Sequence, residues 1–249
     1  MRIIDLSQPL GTGTAEWPGD APFRLGWTLR RDRGDSVNAA EIALSVHLGT
    51  HADGPAHTGA GGAPIGEAPL ERYIGAAVVV HAPGATALEP ALVAGLDLAR
   101  TPRVLFRTRA PGSDPLAFPR AFPAIAPALA RRLVAAGALL VGTDAPSVDP
   151  AESTTLETHG ILAAGGVAIL ENLRLDEAPA GEYVLVALPL RLTEADSSPV
   201  RAVLLQAGTL ASRELPAGDA GASGNAGDAT GDASAGGNAR ASGGQPPRV

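Results

Sequence analysis

Short apolar runs, separated by glycine- and proline-rich turns, dominate residues 1–207. Runs this short and rich in Val, Ile and Leu predict β-strands rather than helices, which need longer periodic segments. Strands are predicted at residues 3–6, 23–29, 41–46, 76–81, 104–108, 139–141, 167–170, 183–190 and 200–205.

Helical spacing of apolar residues is confined to a few segments. It predicts helices at 88–96, 125–136 and 153–159, the second ending at Gly137, a residue typical of helix C-termini. Ser153 is a candidate N-cap for the third. Strands outnumber helices, and we expect one strand-rich α/β domain spanning residues 1–207.

The composition changes at about residue 208. From there onward the chain consists mainly of Gly, Ala, Ser, Asp and Asn, with almost no large apolar residue. Such a segment buries too little apolar surface to offset the entropy of ordering it. Residues 208–249 are therefore predicted to be a disordered tail without a catalytic role.

Charge and composition exclude several classes of protein. The net charge of −7 argues against a nucleic-acid binder, which needs a basic face. The absence of cysteine excludes disulfides, thiolate metal sites and cysteine nucleophiles. No apolar run is long enough to span a membrane, and the N-terminus has no signal-peptide core, so we expect a cytoplasmic protein without a membrane partner.

The segment 47–57, HLGTHADGPAH, concentrates the candidate chemistry. It carries three of the five histidines, together with Asp53. His47 and His51 have helical spacing, but the intervening and following Gly and Pro favour a tight loop after the strand at 41–46. Imidazole and carboxylate groups suit zinc, manganese and similar divalent ions. The alternative is a set of unrelated polar loop residues.

Other polar residues follow predicted strands. Glu171 ends the apolar strand at 167–170, where a carboxylate is costly unless it is paired or binds a metal. Asp144 and Ser147 follow the strand at 139–141, a common position for ligand-binding residues in α/β sheets. Ser147 lacks the Gly-x-Ser-x-Gly context of a nucleophile. His81 lies far from other candidates in the sequence and is interpreted as structural.

Two loops bear on the shape of a binding site. Trp17 lies in the turn-forming segment EWPGD, either as a core anchor or as a flat wall for an aromatic ligand. Residues 58–64 are too rich in glycine for regular structure and lack the ending of a phosphate loop, so they are predicted to form a flexible flap near the histidines.

The pattern H-x-G-T-H-x-D-x-P-x-H at 47–57 resembles the hallmark of the metal-dependent cyclase-like hydrolase superfamily. Within it, the chain most resembles the bacterial kynurenine formamidase (arylformamidase) family. The resemblance covers about residues 1–206, and further support comes from segments 17–20, 34–38, 142–147, 159–160, 168–173, 187–190 and 198–201.

The resemblance implies a swivelling β/β/α fold, a homodimer and two divalent ions, usually zinc, with manganese as the other option. One ion would be held by His47, His51 and Asp53. The other would be held by Asp53, His159 and Glu171. His57 would be the catalytic acid/base rather than a ligand, and Trp17 would contact an aromatic substrate.

The activity implied by the resemblance is hydrolysis of N-formyl-L-kynurenine, an aromatic formamide, to L-kynurenine and formate in tryptophan degradation. Two alternatives stay open: a sister cyclic-amide hydrolase such as one acting on isatin, and a metal-binding protein without catalysis. Gly54, where many relatives carry alanine, and the glycine-rich segment after His57 are the departures from the family pattern that bear on the pocket.

Overall fold

The computed structural model describes residues 2–59, 62–109, 114, 117–119 and 121–206, all of which belong to one compact unit. The predicted tail, 208–249, lies outside the described residues. The strands are β1 Ile3–Asp5, β2 Arg24–Leu29, β3 Ala39–Ala43, β4 His51–Asp53, β5 Ile74–His81, β6 Ala87–Leu88, β7 Arg103–Arg107, β8 Ala124–Ile125, β9 Leu140–Thr143, β10 Ala168–Glu171, β11 Gly181–Val186, β12 Ser197–Pro199 and β13 Val203–Gln206.

A nine-stranded mixed sheet carries the fold, in the order β1-β13-β11-β5-β7-β9-β10-β4-β12. Its centre, β5-β7-β9-β10, is parallel, whereas β4 runs antiparallel between β10 and β12. The parallel strands are the Val-, Ile- and Leu-rich runs of the sequence, as expected for strands buried on both faces. The predictions at 76–81, 104–108, 139–141 and 167–170 are confirmed to within a few residues at their ends.

Two apolar clusters lie on opposite faces of the sheet. Along β7, Val104 and Phe106 contribute to one cluster and Leu105 to the other, because successive strand residues point to opposite faces. The Leu105 cluster also contains Ile4 of β1 and Ala52 of β4, which lie near opposite ends of the strand order. The sheet is therefore curled around this cluster into a half-barrel.

Two α-helices cover the Phe106 face. They are α1 Pro127–Ala135 and α2 Glu157–Ala164, and buried side chains of both belong to the same cluster. The helix predicted at 125–136 is confirmed, with Gly137 at φ 76° just beyond it. The helix predicted at 153–159 begins later, so His159 lies in its first turn rather than at its end. No helix in the described part of the chain has the length and apolarity to cross a membrane.

The predicted helix at 88–96 is wrong. Its start lies at the end of strand β6, and Pro90–Val93 forms only a short 3-10 turn. Leu88 and Val93 are both buried, so an extended residue followed by one turn already satisfies the apolar pattern. Glu89, the residue before Pro90, is extended (φ −102°, ψ 158°), because a proline disfavours the helical conformation of the residue that precedes it.

The sequence predicted that the histidine segment is a loop, but part of it is a strand. His51–Asp53 forms β4, a fully buried strand, and the predicted strand at 41–46 is instead β3 Ala39–Ala43. Within the described ranges, β3 pairs only with β2, in a two-stranded ribbon whose residues are mostly exposed. A three-residue strand with two polar members has no apolar alternation, which is why its pattern resembles that of a loop.

Candidate metal centre

Four separate elements bring the five predicted metal ligands together. His51 and Asp53 are two residues apart on β4, so both point to the same face. Glu171, on β10, is the direct cross-strand partner of His51. His159 comes from the first turn of α2, and His47 from the turn before β4. These residues lie together in the structure as the sequence predicted, although their roles as ligands stay predictions.

Asp53 lies at the centre of this cluster. Its Oδ1 is 3.2 Å from His47 Nδ1 and 3.4 Å from His51 Nε2, whereas its Oδ2 is 3.5 Å from His159 Nε2. Glu171 faces the same two buried imidazoles, 3.3 Å from His51 Nε2 and 3.3 Å from His159 Nε2. The two oxygens of Asp53 therefore face two different groups of ligands.

Three buried atoms of the cluster have no hydrogen-bond partner among the described residues: His51 Nε2, Asp53 Oδ2 and His159 Nε2. The other nitrogen of each imidazole is engaged, His51 Nδ1 with Gly49 O at 2.8 Å and His159 Nδ1 with Asp149 Oδ2 at 2.6 Å. Since these acceptors require the proton on Nδ1, the lone pair of each Nε2 faces the cluster. Unpaired buried polar atoms are costly, and divalent cations bound within the cluster would satisfy them. The residues present therefore fit a metal ion.

Electrostatics support the same interpretation. Burial lowers the pKa of His51, but the carboxylates of Asp53 and Glu171 outweigh burial and raise it to about 10. Burial likewise lowers the pKa of His159, but the hydrogen bond with Asp149 and the nearby carboxylates of Asp53 and Glu171 raise it to about 12. Burial raises the pKa of Asp53, but the charge on His51 and the other nearby imidazoles bring it well below its usual value. A bound divalent cation would supply positive charge beside these carboxylates. Without it, that charge comes from protons on the histidines.

His57 lies beside the cluster and is half-buried. It ends the 3-10 turn Pro55–His57, and its Nδ1 is 3.0 Å from Asp196 Oδ2. The same oxygen lies 2.8 Å from His47 Nε2. His57 belongs to two groups of three residues whose ligand atoms all lie within 4.8 Å of one another, one with His47 and Asp196 and one with Asp53 and His159.

Sequence reasoning missed two carboxylates that hold the histidines in place. Asp196 binds His47 and His57, and Asp149 binds His159. Both lie just outside segments of the family pattern: Asp149 follows 142–147 and Asp196 precedes 198–201. That proximity was the only signal for them in the sequence.

Glycine is required at two positions of the histidine segment. Gly49 has φ 67°, a conformation that L side chains rarely adopt, and its carbonyl accepts the His51 bond. At Gly54, a Cβ atom would lie 2.8 Å from the carbonyl oxygen of Asp196, and the Gly54 N–H donates to that same oxygen. The alanine that many relatives carry here would clash with the Asp196 carbonyl oxygen. Glycine at position 54 therefore allows the segment carrying Asp196 to lie close to β4.

A cavity of about 410 Å³ opens onto the cluster. His51, His57 and Glu171 line one part of it, and Trp17 and Phe118 line another. The Trp17 and Phe118 rings meet edge to face with centroids 5.3 Å apart, and Trp17 is 37% exposed. Trp17 is thus a wall of the cavity rather than a core anchor.

The remaining candidates lie in different places. Ser147 lines the cavity, whereas Asp144 is buried and accepts hydrogen bonds from Thr108 and Arg109. His81 binds the carbonyl oxygen of Ala178 through Nε2 at 2.8 Å, in keeping with a structural role. Residues 60 and 61 of the predicted flap lie outside the described residues, and its described residues do not line the cavity.

Fold and site together define a strand-rich domain of the cyclase-like, metal-dependent hydrolase superfamily. The chain belongs to the Cyclase family, because its residues 4–150 match the profile of that family, "Putative cyclase".

Solved structures show the same similarity. Two of them are each 28% identical to this chain, with a TM-score of 0.69, and each match covers 82% of this chain. They are a potential metal-dependent hydrolase with cyclase activity, matched over 96% of its length, and a predicted metal-dependent hydrolase from Bacillus stearothermophilus, matched over 97% of its length. Isatin hydrolase A from Labrenzia aggregata, bound to benzyl benzoate, is 25% identical with a TM-score of 0.66, covering 82% of this chain and 93% of its own.

Proposed function

We propose that this protein is an arylformamidase: a metal-dependent hydrolase that converts N-formyl-L-kynurenine to L-kynurenine and formate in tryptophan degradation. The observation that carries the proposal is the set of unpaired buried atoms on His51, Asp53 and His159, which lie beside a cavity with an aromatic wall. A metal cluster can activate water, and an aromatic wall suits an aryl amide.

The proposed cofactor is a pair of divalent ions, zinc or else manganese. His47, His51 and Asp53 would hold one ion, and Asp53, His159 and Glu171 the other. The opposed contacts of Asp53 Oδ1 and Oδ2 support a bridging role for this carboxylate. When bound, such ions supply Lewis acidity and a nucleophile at neutral pH.

His57 is the proposed acid/base. Asp196 accepts the proton of His57 Nδ1, which leaves Nε2 as the atom that takes up and releases a proton. In this role His57 removes a proton from the attacking water and delivers it to the departing aniline nitrogen, which is otherwise a poor leaving group. Asp196 is a positioning residue, because it acts through His57.

The cavity fits the proposed substrate. Its volume of about 410 Å³ lies within the usual range for small-molecule sites, about 300–1,000 Å³. Trp17 and Phe118 offer flat apolar surface to the kynurenine ring, while the formyl carbon, which bears only hydrogen, needs little room at the cluster.

The test is the appearance of kynurenine absorbance when zinc-loaded protein meets N-formyl-L-kynurenine. We expect a rise that a chelator abolishes and that added zinc restores. The control is protein heated past its unfolding transition and loaded with the same zinc. Folded, metal-loaded protein that produces no kynurenine would exclude this substrate.

A second candidate is hydrolysis of the cyclic amide isatin, which the similarity to isatin hydrolase A favours. Both reactions would use the same metal ligands, so the choice depends on comparing kcat/KM for the two substrates on one preparation. Tight metal binding without turnover of either substrate would favour a metal-binding protein without catalysis.

A homodimer is also proposed, and the exposed ribbon of β2 and β3 supports it. Leu25 and Ile42 are cross-strand partners in this ribbon and are 50% and 60% exposed, and Trp27, on β2, is 49% exposed. A second copy of the chain would bury this apolar surface.

A further inference from the structure

The cavity carries one cationic group that the proposed chemistry does not use. Arg109 lines it together with Trp17 and Phe118, and it is the only Lys or Arg among the described residues that do so. Arg109 follows the carboxyl end of β7, and Glu171 ends β10, two strands away in the parallel part of the sheet. Two strand spacings amount to roughly 10 Å, so the backbone of Arg109 and that of Glu171 lie at separate parts of the cavity lining.

Arg109 forms no ion pair within 4 Å among the described residues, although its charge acts at longer range on Asp144, where it opposes the rise in the pKa of that carboxyl that burial causes. Its Nε donates to the carbonyl oxygen of Asp144 at 2.8 Å, and its Nη1 makes a long contact of 3.5 Å with the carbonyl oxygen of Asp114. Both acceptors are neutral backbone groups. A guanidinium has five N–H donors in a planar fork that matches a carboxylate, so most of this fork remains available to a ligand.

A buried carboxylate fixes the backbone beneath Arg109. Asp144, 2% exposed, accepts hydrogen bonds from the backbone N–H of Thr108, the Thr108 hydroxyl and the backbone N–H of Arg109, at 2.5–2.9 Å. The Asp144 carbonyl then accepts the Arg109 Nε bond. The guanidinium is therefore positioned before any ligand binds, which lowers the entropy cost of binding.

We propose that Arg109 is the carboxylate-binding residue of this site, and that the preferred ligands are aryl amides that also carry a carboxylate. The inference rests on the proposed function and refines it. N-formyl-L-kynurenine has its carboxylate several bonds from the formyl group, so the metal cluster holds the scissile amide, Trp17 and Phe118 hold the ring, and Arg109 holds the acid. Arg109 is thus a specificity residue that takes no part in bond cleavage.

The test compares two substrates that differ by an amino-acid group, which brings a carboxylate that Arg109 can bind and an ammonium that it cannot. N-formyl-L-kynurenine carries the carboxylate, and 2-formamidoacetophenone has the same formyl-aniline core without the amino-acid group. For Arg109→Gln we expect KM for the charged substrate to rise about 10- to 100-fold, as for the loss of a charged hydrogen bond, with little change in kcat. Hydrolysis of the neutral substrate should change far less than that of the charged one, and circular dichroism and elemental analysis check that the variant is folded and holds its metal.

Two further variants sharpen the comparison. Arg109→Lys keeps the charge but loses the fork, so it should recover only part of the affinity. Arg107→Gln, at the end of the same strand but outside the cavity lining, is the matched control and should leave both substrates unaffected. An equal loss on both substrates, or no loss on the charged one, overturns the inference while leaving the arylformamidase proposal intact.

A binding measurement keeps the inference testable if the proposed activity fails. Calorimetric titration of zinc-loaded protein with L-kynurenine and with neutral 2-aminoacetophenone requires no turnover. We expect the acid to bind at least about 10-fold more tightly, and Arg109→Gln to remove that difference. Equal affinities, or no binding of the acid, would overturn the role of Arg109 whatever reaction the protein catalyses.

Discussion

Asp149 Oδ2 lies 2.6 Å from Nδ1 of His159, and this bond turns the opposite nitrogen of the imidazole toward Asp53 and Glu171. The same carboxylate accepts the backbone N–H groups of Thr158 and His159 in the first turn of α2. Asp149 therefore fixes both the helix that carries His159 and the tautomer of its ring.

Replacing Asp149 with Asn should weaken zinc binding about 10- to 100-fold, because this partner orients a metal-binding imidazole and raises its basicity. Competition with a chromophoric chelator measures the affinity. Glu177→Gln, at an exposed position, is the control and should bind zinc like the wild type. Unchanged affinity in Asp149→Asn would mean that His159 does not contribute to metal binding.

Metal-free protein should lose stability as the pH rises above neutrality. The pKa of His51 is about 10 in the folded state and 6.5 ordinarily, so its contribution is complete below about pH 6.5 and is lost as the pH rises toward 10. The lowered pKa values of Asp53 and Glu171 change nothing here, since both groups are ionised throughout this range.

We therefore expect the Tm of chelator-treated protein to fall between about pH 7 and pH 10, while that of zinc-loaded protein changes much less, because the ion replaces the displaced protons. Thermal melts of both forms across this range make the measurement. Parallel pH profiles for the two forms would contradict the interpretation.

His57→Ala should lower kcat on the order of 100- to 10,000-fold, the usual contribution of an acid/base group, and should leave the metal content unchanged. Activity and elemental analysis on the same sample separate the two effects. His81→Ala, which removes a histidine bound to the carbonyl of Ala178, is the control and should retain both. Loss of metal from His57→Ala would make His57 a ligand instead.

Trp17→Leu should raise KM for an aryl formamide by about 2- to 10-fold, corresponding to the loss of one aromatic contact, with the metal content unchanged. Trp17→Phe retains a flat ring and should stay close to the wild type. Steady-state kinetics on all three proteins test this. An unchanged KM for Trp17→Leu would show that the substrate ring lies elsewhere in the cavity.

Trp27→Glu should convert the proposed dimer to monomer, because it places a charge within the exposed apolar ribbon. Sedimentation velocity over a range of concentrations reports the change. Leu70→Glu alters a comparably exposed apolar residue outside the ribbon, 54% exposed, and should leave the dimer intact. A wild-type protein that sediments as a monomer rejects the dimer itself.

The sequence predicted the parallel centre of the sheet well and the histidine-bearing strand β4 poorly, for the same physical reason. Strands β5, β7, β9 and β10 are buried on both faces, so their apolar runs are unmistakable. His51 and Asp53 of β4 are also buried, but they are polar and are accommodated by one another and by Glu171. A pattern based on hydrophobicity cannot detect such a strand.

The residues of the candidate site also differ in how far the sequence could predict them. Clustering within 47–57 was enough to indicate a metal site, and the end of an apolar strand made Glu171 a separate ligand candidate. Only the family resemblance joined His159 and Glu171 to that cluster, because both follow at a great distance along the chain. Asp149 and Asp196 belong to no motif, and as isolated acids in polar loops they look the same as solvated residues. Their function depends on tertiary contacts that sequence spacing does not encode.

The position of β4 between β10 and β12 determines when the histidine cluster can form during synthesis of the chain. Its neighbours β10 and β12 are both encoded far downstream, so a nascent chain exposes the histidine segment long before either partner strand has been synthesised. Such non-local pairing slows folding, because distant parts of the chain must meet first. Assembly of the histidine cluster, and with it uptake of the proposed ions, is therefore expected late in biogenesis, after β10 and β12 have been synthesised.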